Sequence, residues 1–200
     1  MKQITFLFTI VFLSFSSIAQ LDQKNWIVGG NGTFTSTNDN FKSTTVASEY
    51  QVTEIKITPN IGYFIIDKLA LGIKSSFSWR KDKGLSSNAG NSKTLRFDYG
   101  PFVRYYFLNR EKPYNLLADL SYQFGNLKFI SNDKGIRNNF SIMAGPSVYF
   151  NSSVGIELLL GYKIEKEKLT TSTSTPQYFY ADTKKGFQVS IGFQIHLEKF

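Results

Sequence analysis

The stretch FQVSIGFQIHLE, residues 187–198, alternates apolar and non-apolar side chains at every position. Such alternation is typical of a β-strand with one apolar face, because successive side chains of a strand point to opposite sides. Other windows share the pattern, strongly at 69–79, 95–107 and 154–164, and more weakly at 25–35, 51–66, 114–130 and 138–150. Beyond the N-terminus no window has helical periodicity. The sequence therefore predicts eight strands.

The predicted connections between these strands alternate in length. Three are short and consist of turn-forming residues: 67–68, 109–113 and 151–152. The polar segments between them are longer: roughly 36–50, 82–92, 131–137 and 168–184. Outer-membrane barrels have short periplasmic turns, longer external loops and an even number of strands. We therefore expect an all-β fold, an eight-stranded antiparallel up-and-down transmembrane β-barrel, with both chain termini on the periplasmic side.

The composition fits such a barrel. Hydrophobic residues make up 42% of the chain, which is ordinary for a soluble protein, while the aromatic share of 16% is high. A membrane barrel combines the two because only every second strand residue faces lipid, and aromatic rings collect at the two headgroup levels. The chain contains no cysteine, which excludes disulfides, thiolate metal sites and a cysteine nucleophile.

The N-terminus has the pattern of a secretory signal peptide. Lys2 provides a positive charge, residues 4–15 are mostly apolar, and small residues lead to a predicted cleavage site after Ala19. The apolar stretch is shorter than the roughly 20 residues that a membrane-spanning helix needs. We therefore expect a signal peptide at 1–19, an outer-membrane barrel domain at 20–200, and export to the periplasm before integration into the bacterial outer membrane.

The chain is basic, with a formal net charge of +8 at pH 7. In an exported barrel this excess points to the phosphates of outer-membrane lipid and lipopolysaccharide as partners, and not to nucleic acid. The basic residues of the segments predicted to be external are Lys81, Lys83, Lys93, Lys134, Arg137, Lys168, Lys184 and Lys185. The alternative interpretation is a solvated rim without a specific partner.

Three prolines interrupt predicted strands: Pro59, Pro101 and Pro146. Each lies in a strand that leads to a short turn. Because proline cannot donate a hydrogen bond to the ladder, we expect a β-bulge at each of them.

The proline-containing strands ITPNIGYFI, DYGPFVRYYF and AGPSVYF, the leader and the ending GFQVSIGFQIHLEKF resemble the small outer-membrane β-barrel proteins common in Bacteroidetes. That family is related in architecture to OmpA/OmpX-type barrels. The ending looks like their assembly signal, here Phe193, Ile195, Leu197 and Phe200, although Phe200 is out of phase with the other three. The resemblance implies a monomeric barrel that the barrel assembly machinery recognises, and it implies no particular role.

The inward-facing parity of the predicted strands carries five basic and five acidic residues. They are Lys56, Lys74, Arg96, Arg104, Lys163, Asp98, Asp119, Glu157, Glu165 and Glu198. An eight-stranded barrel is just wide enough for side chains to fill its interior, and buried charges must be paired. The sequence therefore predicts a charge network that fills the interior. The alternative is a narrow charged channel.

No motif indicates a catalytic, cofactor or metal site. His196, the only histidine, is predicted near the periplasmic end, whereas barrel enzymes that act on lipid A work near the outer leaflet. The glycine-rich residues 29–32 lie in a strand with no following helix, which argues against a phosphate-binding loop. We expect a non-enzymatic barrel with a structural or surface-interaction role. The alternatives are a small pore for ions or solutes, a lipid-modifying enzyme and a soluble ligand-binding barrel.

Overall fold

The computed structural model describes residues 21–42, 47–85, 91–109, 111–128, 134–170 and 179–198. These residues form eight β-strands: β1 (Trp26–Lys42), β2 (Ala47–Ile66), β3 (Leu69–Gly84), β4 (Ser92–Tyr106), β5 (Tyr114–Lys128), β6 (Lys134–Tyr149), β7 (Val154–Thr170) and β8 (Phe179–Leu197). In this part of the chain there is no helix long and apolar enough to cross a membrane. The predicted cleavage site after Ala19 lies outside the described residues.

The strands close into a barrel. Each strand pairs antiparallel with its neighbours in sequence, and β8 returns to pair with β1. Along β3, for example, one parity is buried or half-buried in the interior and most of the other parity is exposed on the outer face. The predicted eight-stranded antiparallel up-and-down barrel is therefore confirmed. We call the end that carries residues 67–68, 107–109, 111–113 and 150–153 the turn end, and the opposite end the loop end.

The strands reach further toward the loop end than the apolar alternation predicts. The β1–β2 ladder continues to Lys42 opposite Ala47, and the β7–β8 ladder continues to Thr170 opposite Phe179. Much of the sequence predicted as long loops is therefore strand. Side chains on both faces are largely polar there, so the alternation ends while the backbone hydrogen-bond ladder continues.

The predicted bulges at Pro59, Pro101 and Pro146 are wrong. Each proline pairs in regular register with the strand that precedes its own in sequence. Toward the following strand the pairing lapses at the proline and then resumes in the same register, so no extra residue is inserted. The missing N–H interrupts one edge of the strand without shifting it. The register shift in the described ladders lies instead between Phe64 and Ile66, beside the turn at 67–68.

Candidate functional site

The barrel is polar inside and apolar outside. Arg104 and Glu157 are completely buried in the interior, whereas the outward-facing Leu95 and Phe187 are 73% and 90% exposed. This arrangement reverses that of a soluble protein, in which large apolar side chains are buried and charges face the solvent. The groups that can bind or react therefore lie in the interior and at its two ends.

Four interior residues form an ion-paired group nearer the turn end, here called the lower cluster: Lys74 on β3, Arg104 on β4, Asp119 on β5 and Glu157 on β7. Arg104 Nε donates to Asp119 Oδ2 at 2.9 Å, and Arg104 Nη1 donates to Glu157 Oε1 at 3.0 Å. Lys74 Nζ pairs with Asp119 Oδ1. Arg104 and Asp119 lie opposite each other on the neighbouring strands β4 and β5, whereas Arg104 and Glu157 come from β4 and β7, so their ion pair crosses the lumen.

Aromatic rings hold the lower cluster in place. The centroid of the Phe102 ring lies 4.9 Å from Lys74 Nζ and 5.7 Å from Arg104 Cζ, which is cation–π geometry. Tyr106 Oη donates to Glu157 Oε1 at 3.4 Å. The charged side chains are thus packed as well as paired, and the lumen is filled at this level.

A layer of uncharged polar side chains lies next to the lower cluster. The hydroxyl oxygens of Thr58 and Ser76 are 3.1 Å apart, and Ser76 Oγ donates to Gln123 Oε1 at 3.1 Å. Gln123 Nε2 donates to the carbonyl oxygen of Lys74 at 3.4 Å. These bonds join the neighbouring strands β2 and β3, and they connect β3 to β5 through the interior.

Six further residues form the upper cluster, nearer the loop end: Arg96, Asp98, Arg137, Lys163, Glu165 and Glu167. Arg137 Nε donates to Asp98 Oδ1 at 2.9 Å, and Arg137 Nη1 donates to Glu165 Oε1 at 3.0 Å. Arg96 lies 3.3 Å from both Glu165 and Glu167. Lys163 pairs with Glu165. A second level of the lumen is therefore also spanned by paired charges.

The structure brings eight of the ten predicted interior charges into these two clusters. Lys56 also points inward and is buried, but it makes no ion pair with any described residue. Glu198 is different, because it follows the end of β8 at Leu197 and is exposed. Its predicted inward position is wrong, since strand parity stops determining direction where the strand ends.

Arg137 and Glu167 are members of the upper cluster that the sequence did not place there. Arg137 was expected in an external segment, and this is wrong, because its side chain is 1% exposed inside β6. Glu167 lies in β7, beyond the predicted end of that strand. Both positions keep the inward parity of their strands, which is the signal that could have identified them if the strands had been extended.

Apolar side chains close the interior at the turn end. The buried cluster there consists of Leu21, Ile27, Phe64, Ala70, Tyr106, Leu117, Met143, Tyr149 and Leu159. The segment 21–25 crosses this end, where Lys24 N donates to the Phe64 carbonyl and Lys68 N donates to the Leu21 carbonyl, both at 2.8 Å. Leu21 is 1% exposed. No periodicity marks these few residues, so the sequence did not predict that they cover the barrel.

His196 lies within this closed end. Its ring centroid is 5.9 Å from Phe64, 5.7 Å from Tyr106 and 5.5 Å from Tyr149. Its Nε2 is 3.5 Å from Tyr106 Oη. The ring therefore packs among aromatic rings, at the opposite end of the barrel from the loop end. Within the described residues there is no group of three or more His, Cys, Asp or Glu that could hold a metal ion.

The outer face carries pairs of aromatic rings near both ends. Trp26 and Tyr63 have centroids 5.0 Å apart near the turn end, and Tyr122 and Phe124 of β5 have centroids 4.9 Å apart nearer the loop end. Exposed lysines continue beyond the rings on the outward parity: Lys81, Lys83, Lys93, Lys168 and Lys185. Lys184 is also exposed, but it has the inward parity of β8 and lies 4.0 Å from Glu167. The Lys134 side chain lies outside the description.

The residues of the predicted assembly signal lie at the turn end of β8. Phe193 and Leu197 face outward and are exposed, and Ile195 is half-buried. Phe200 lies outside the described residues.

The fold has a solved counterpart. The barrel is similar to the outer membrane protein OprG of Pseudomonas aeruginosa. The match to the OprG crystal structure has a TM-score of 0.62 and covers 92% of this chain and 100% of that chain, at 12% sequence identity. At this identity the likeness to OprG shows the fold alone. No family model matches the sequence, and no curated protein matches it. The relationship to Bacteroidetes proteins and to OmpA/OmpX-type barrels stays a prediction.

Proposed function

We propose that this chain is an integral protein of the bacterial outer membrane, with an interior closed to solutes and a structural or surface-interaction role. The observation that carries the proposal is the reversed arrangement of the barrel, with paired charges inside and apolar side chains outside. The apolar outer face supports the membrane location, and the paired charges inside support an interior closed to solutes.

The outer face supports the membrane location. Every strand contributes exposed apolar residues to it: Phe34, Ile57, Ile73, Phe97, Leu120, Ile142, Leu158 and Ile191 are examples, one from each of β1 to β8. A continuous apolar band of this size is not tolerated in water, whereas lipid covers it without cost. A soluble ligand-binding barrel would need another protein around its whole circumference. The membrane location is therefore the better proposal.

The interior supports closure. The lower and upper clusters each span the lumen with ion pairs, and the apolar cluster with segment 21–25 covers the turn end. Opening a water path would require separating buried ion pairs, which leaves uncompensated charges. The pore remains the competing hypothesis, and bilayer conductance distinguishes the two.

The proposal includes no catalysis and no cofactor. An enzyme that modifies lipid needs its reactive group near the outer leaflet, while His196 packs among rings at the turn end. We further propose export through a leader cleaved after Ala19, integration by the barrel assembly machinery, and a monomeric barrel. The exposed lysines near the loop end face lipid and lipopolysaccharide phosphates in this proposal.

Substitution of Leu158 by Arg tests the membrane location. Leu158 faces outward in the middle of the apolar run 154–164 of β7, where a charge in contact with lipid costs about 2–4 kcal/mol. We expect Leu158→Arg to lower the free energy of unfolding in lipid vesicles by that amount, measured by urea titration. Leu85→Arg is the matched control, because Leu85 is equally exposed, at 48%, but follows the loop-end terminus of β3. Equal, negligible effects of both changes would contradict a lipid-facing band.

A further inference from the structure

The wall of the barrel is incomplete between β1 and β8 toward the loop end. These strands pair from Trp26 opposite Leu197 to Gly32 opposite Ile191. Beyond Gly32 the described β1–β8 ladder ends. The remaining residues of β1 pair with β2, and the remaining residues of β8 pair with β7. The two strands therefore diverge, and the barrel has a lateral opening at this seam.

A cavity of about 380 Å³ occupies the opening. Its lining includes Thr33 and Lys56, which face inward, and also Lys185 and Phe187, which are outward positions of β8. Since side chains of both faces line the same cavity, it runs from the mouth of the lumen through the wall to the outer surface. Gly186 also lines the cavity and faces open space, because a Cβ atom at this position would have no other atom within 4 Å.

The cavity is basic. Five basic side chains line it against two acidic ones: Lys56, Arg80, Lys163, Lys184 and Lys185 against Glu54 and Glu165. Arg80 pairs with Asp82, and Lys184 lies 4.0 Å from Glu167, so these two charges are partly compensated. Glu165 is already held by Arg137, Arg96 and Lys163. Low-dielectric walls lined by one sign of charge concentrate the electrostatic field and attract ions of the opposite sign. The chemistry of the cavity therefore favours an anion.

Lys56 is the residue that distinguishes this cavity from an ordinary basic rim. It is 8% exposed, and no described carboxylate forms an ion pair with it. The other inward basic residues Lys74, Arg96 and Arg104 all have such partners. A buried ammonium without a carboxylate lowers stability unless an external group compensates it. Its position on the cavity wall shows where that group would enter.

We propose that this lateral opening binds a phosphate group, with Lys56 at its inner end and Lys184 and Lys185 at its mouth. The expected source is the headgroup of a membrane lipid, because the opening leads to the outer face beside Phe187, which is 90% exposed and positioned to contact an acyl chain. The phosphate site rests on the geometry of the cavity. Only its lipid source rests on the proposed membrane location.

The test is a calorimetric titration of the folded protein in nonionic detergent. The probes are dioctanoyl phosphatidic acid, inorganic phosphate and, as the uncharged counterpart, dioctanoylglycerol. We expect saturable binding of phosphatidic acid at one site per chain, and no binding of dioctanoylglycerol. Lys56→Gln combined with Lys184→Gln should weaken binding about tenfold or more, because charge-assisted hydrogen bonds are lost.

The control is a double variant that removes two positive charges outside the cavity. Lys81 and Lys93 lie opposite each other on β3 and β4, are exposed, and do not line the cavity. Lys81→Gln with Lys93→Gln should change the affinity by about twofold or less, because these charges are solvated and screened. Lys184 is 43% exposed and 4.0 Å from Glu167, which keeps Arg96 as a partner, so Lys184→Gln alone should leave the barrel folded and still weaken binding.

Two results would overturn the site: no saturable binding of either phosphate compound, or equal binding by the wild-type chain and the Lys56→Gln/Lys184→Gln variant. Binding of inorganic phosphate as tight as that of phosphatidic acid, and equally dependent on Lys56, would support the site and assign it to a soluble phosphate. Because the titration is done in detergent, its failure leaves the Leu158→Arg result and the membrane location untouched.

Discussion

Replacement of Arg104 by Met is expected to lower the free energy of unfolding of the barrel by about 3–5 kcal/mol, the usual effect of removing one partner from a buried ion pair. Arg104 is completely buried and pairs with both Asp119 and Glu157. Without it, Asp119 keeps Lys74, but Glu157 loses the cation that compensates its charge. The measurement is urea unfolding in lipid vesicles, followed by the heat-modifiable mobility of the folded form.

A second variant separates the loss of charge pairing from the loss of volume. Arg104→Met combined with Glu157→Gln removes both charges of the pair, so it should recover a substantial part of the lost stability. If the double variant is as unstable as, or less stable than, Arg104→Met, the effect comes from packing and the lumen is not held by ion pairs.

The second large effect is expected for Arg137, which the sequence placed in an external segment. Arg137→Met should destabilise the barrel by about 3 kcal/mol or more, because Asp98 would be left buried without its guanidinium partner. Glu165 would keep Lys163 and Arg96, which limits the loss. The same urea titration measures it.

Lys166→Met is the matched control for Arg137→Met. Lys166 is exposed on the outward parity of β7, opposite Asn138, the next residue after Arg137. Its replacement should leave the unfolding midpoint nearly unchanged, as expected for a solvated surface charge. If Arg137 were an exposed loop residue, its replacement would have as little effect on the unfolding midpoint as that of Lys166. Similar small effects of Arg137→Met and Lys166→Met would therefore contradict the buried upper cluster.

The sequence was sufficient to predict the barrel because side-chain direction alternates strictly along a strand. The alternation at 187–198 and in the related windows also determines which charges point inward. For this reason eight of the ten predicted interior residues meet in the lower and upper clusters. Parity can identify such residues without any knowledge of how the strands pair.

Strand ends were predicted less well, for a physical reason. Toward the loop end both faces of the strands become polar, while the ladder depends on backbone groups that every residue except proline carries. The apolar pattern therefore stops before the strand does, and Arg137 and Glu167 were missed. At the other extreme, Glu198 was assigned inward because the pattern continues one residue beyond the end of β8 at Leu197.

Features that depend on three-dimensional register could not be predicted from the pattern. The divergence of β1 and β8 beyond Gly32 is a property of how the two strands are staggered, and alternation carries no information about stagger. The cover formed by segment 21–25 depends on hydrogen bonds to β2 and to the turn at 67–68, far away in sequence. The regular register at Pro59, Pro101 and Pro146 likewise reflects the pairing partner, which was unknown at the sequence level.

The closed interior and the lateral opening suggest different tasks for the two ends of the barrel. The turn end is covered by apolar packing around His196, and ion pairs connect the charged residues of the two clusters above it. Lys56, which forms no ion pair with a described carboxylate, lies at the lateral opening. In this account, binding takes place at the loop end, on the side of the barrel where β1 and β8 separate.

Single-channel recording tests the closed barrel most directly. The folded protein is inserted into a planar bilayer, and its folded state is verified by heat-modifiable mobility of protein recovered from the same preparation. We predict a silent bilayer, because ion pairs span the lumen at two levels and apolar side chains cover the turn end. Discrete, reproducible conductance steps from the folded protein would contradict it and would make the barrel a pore.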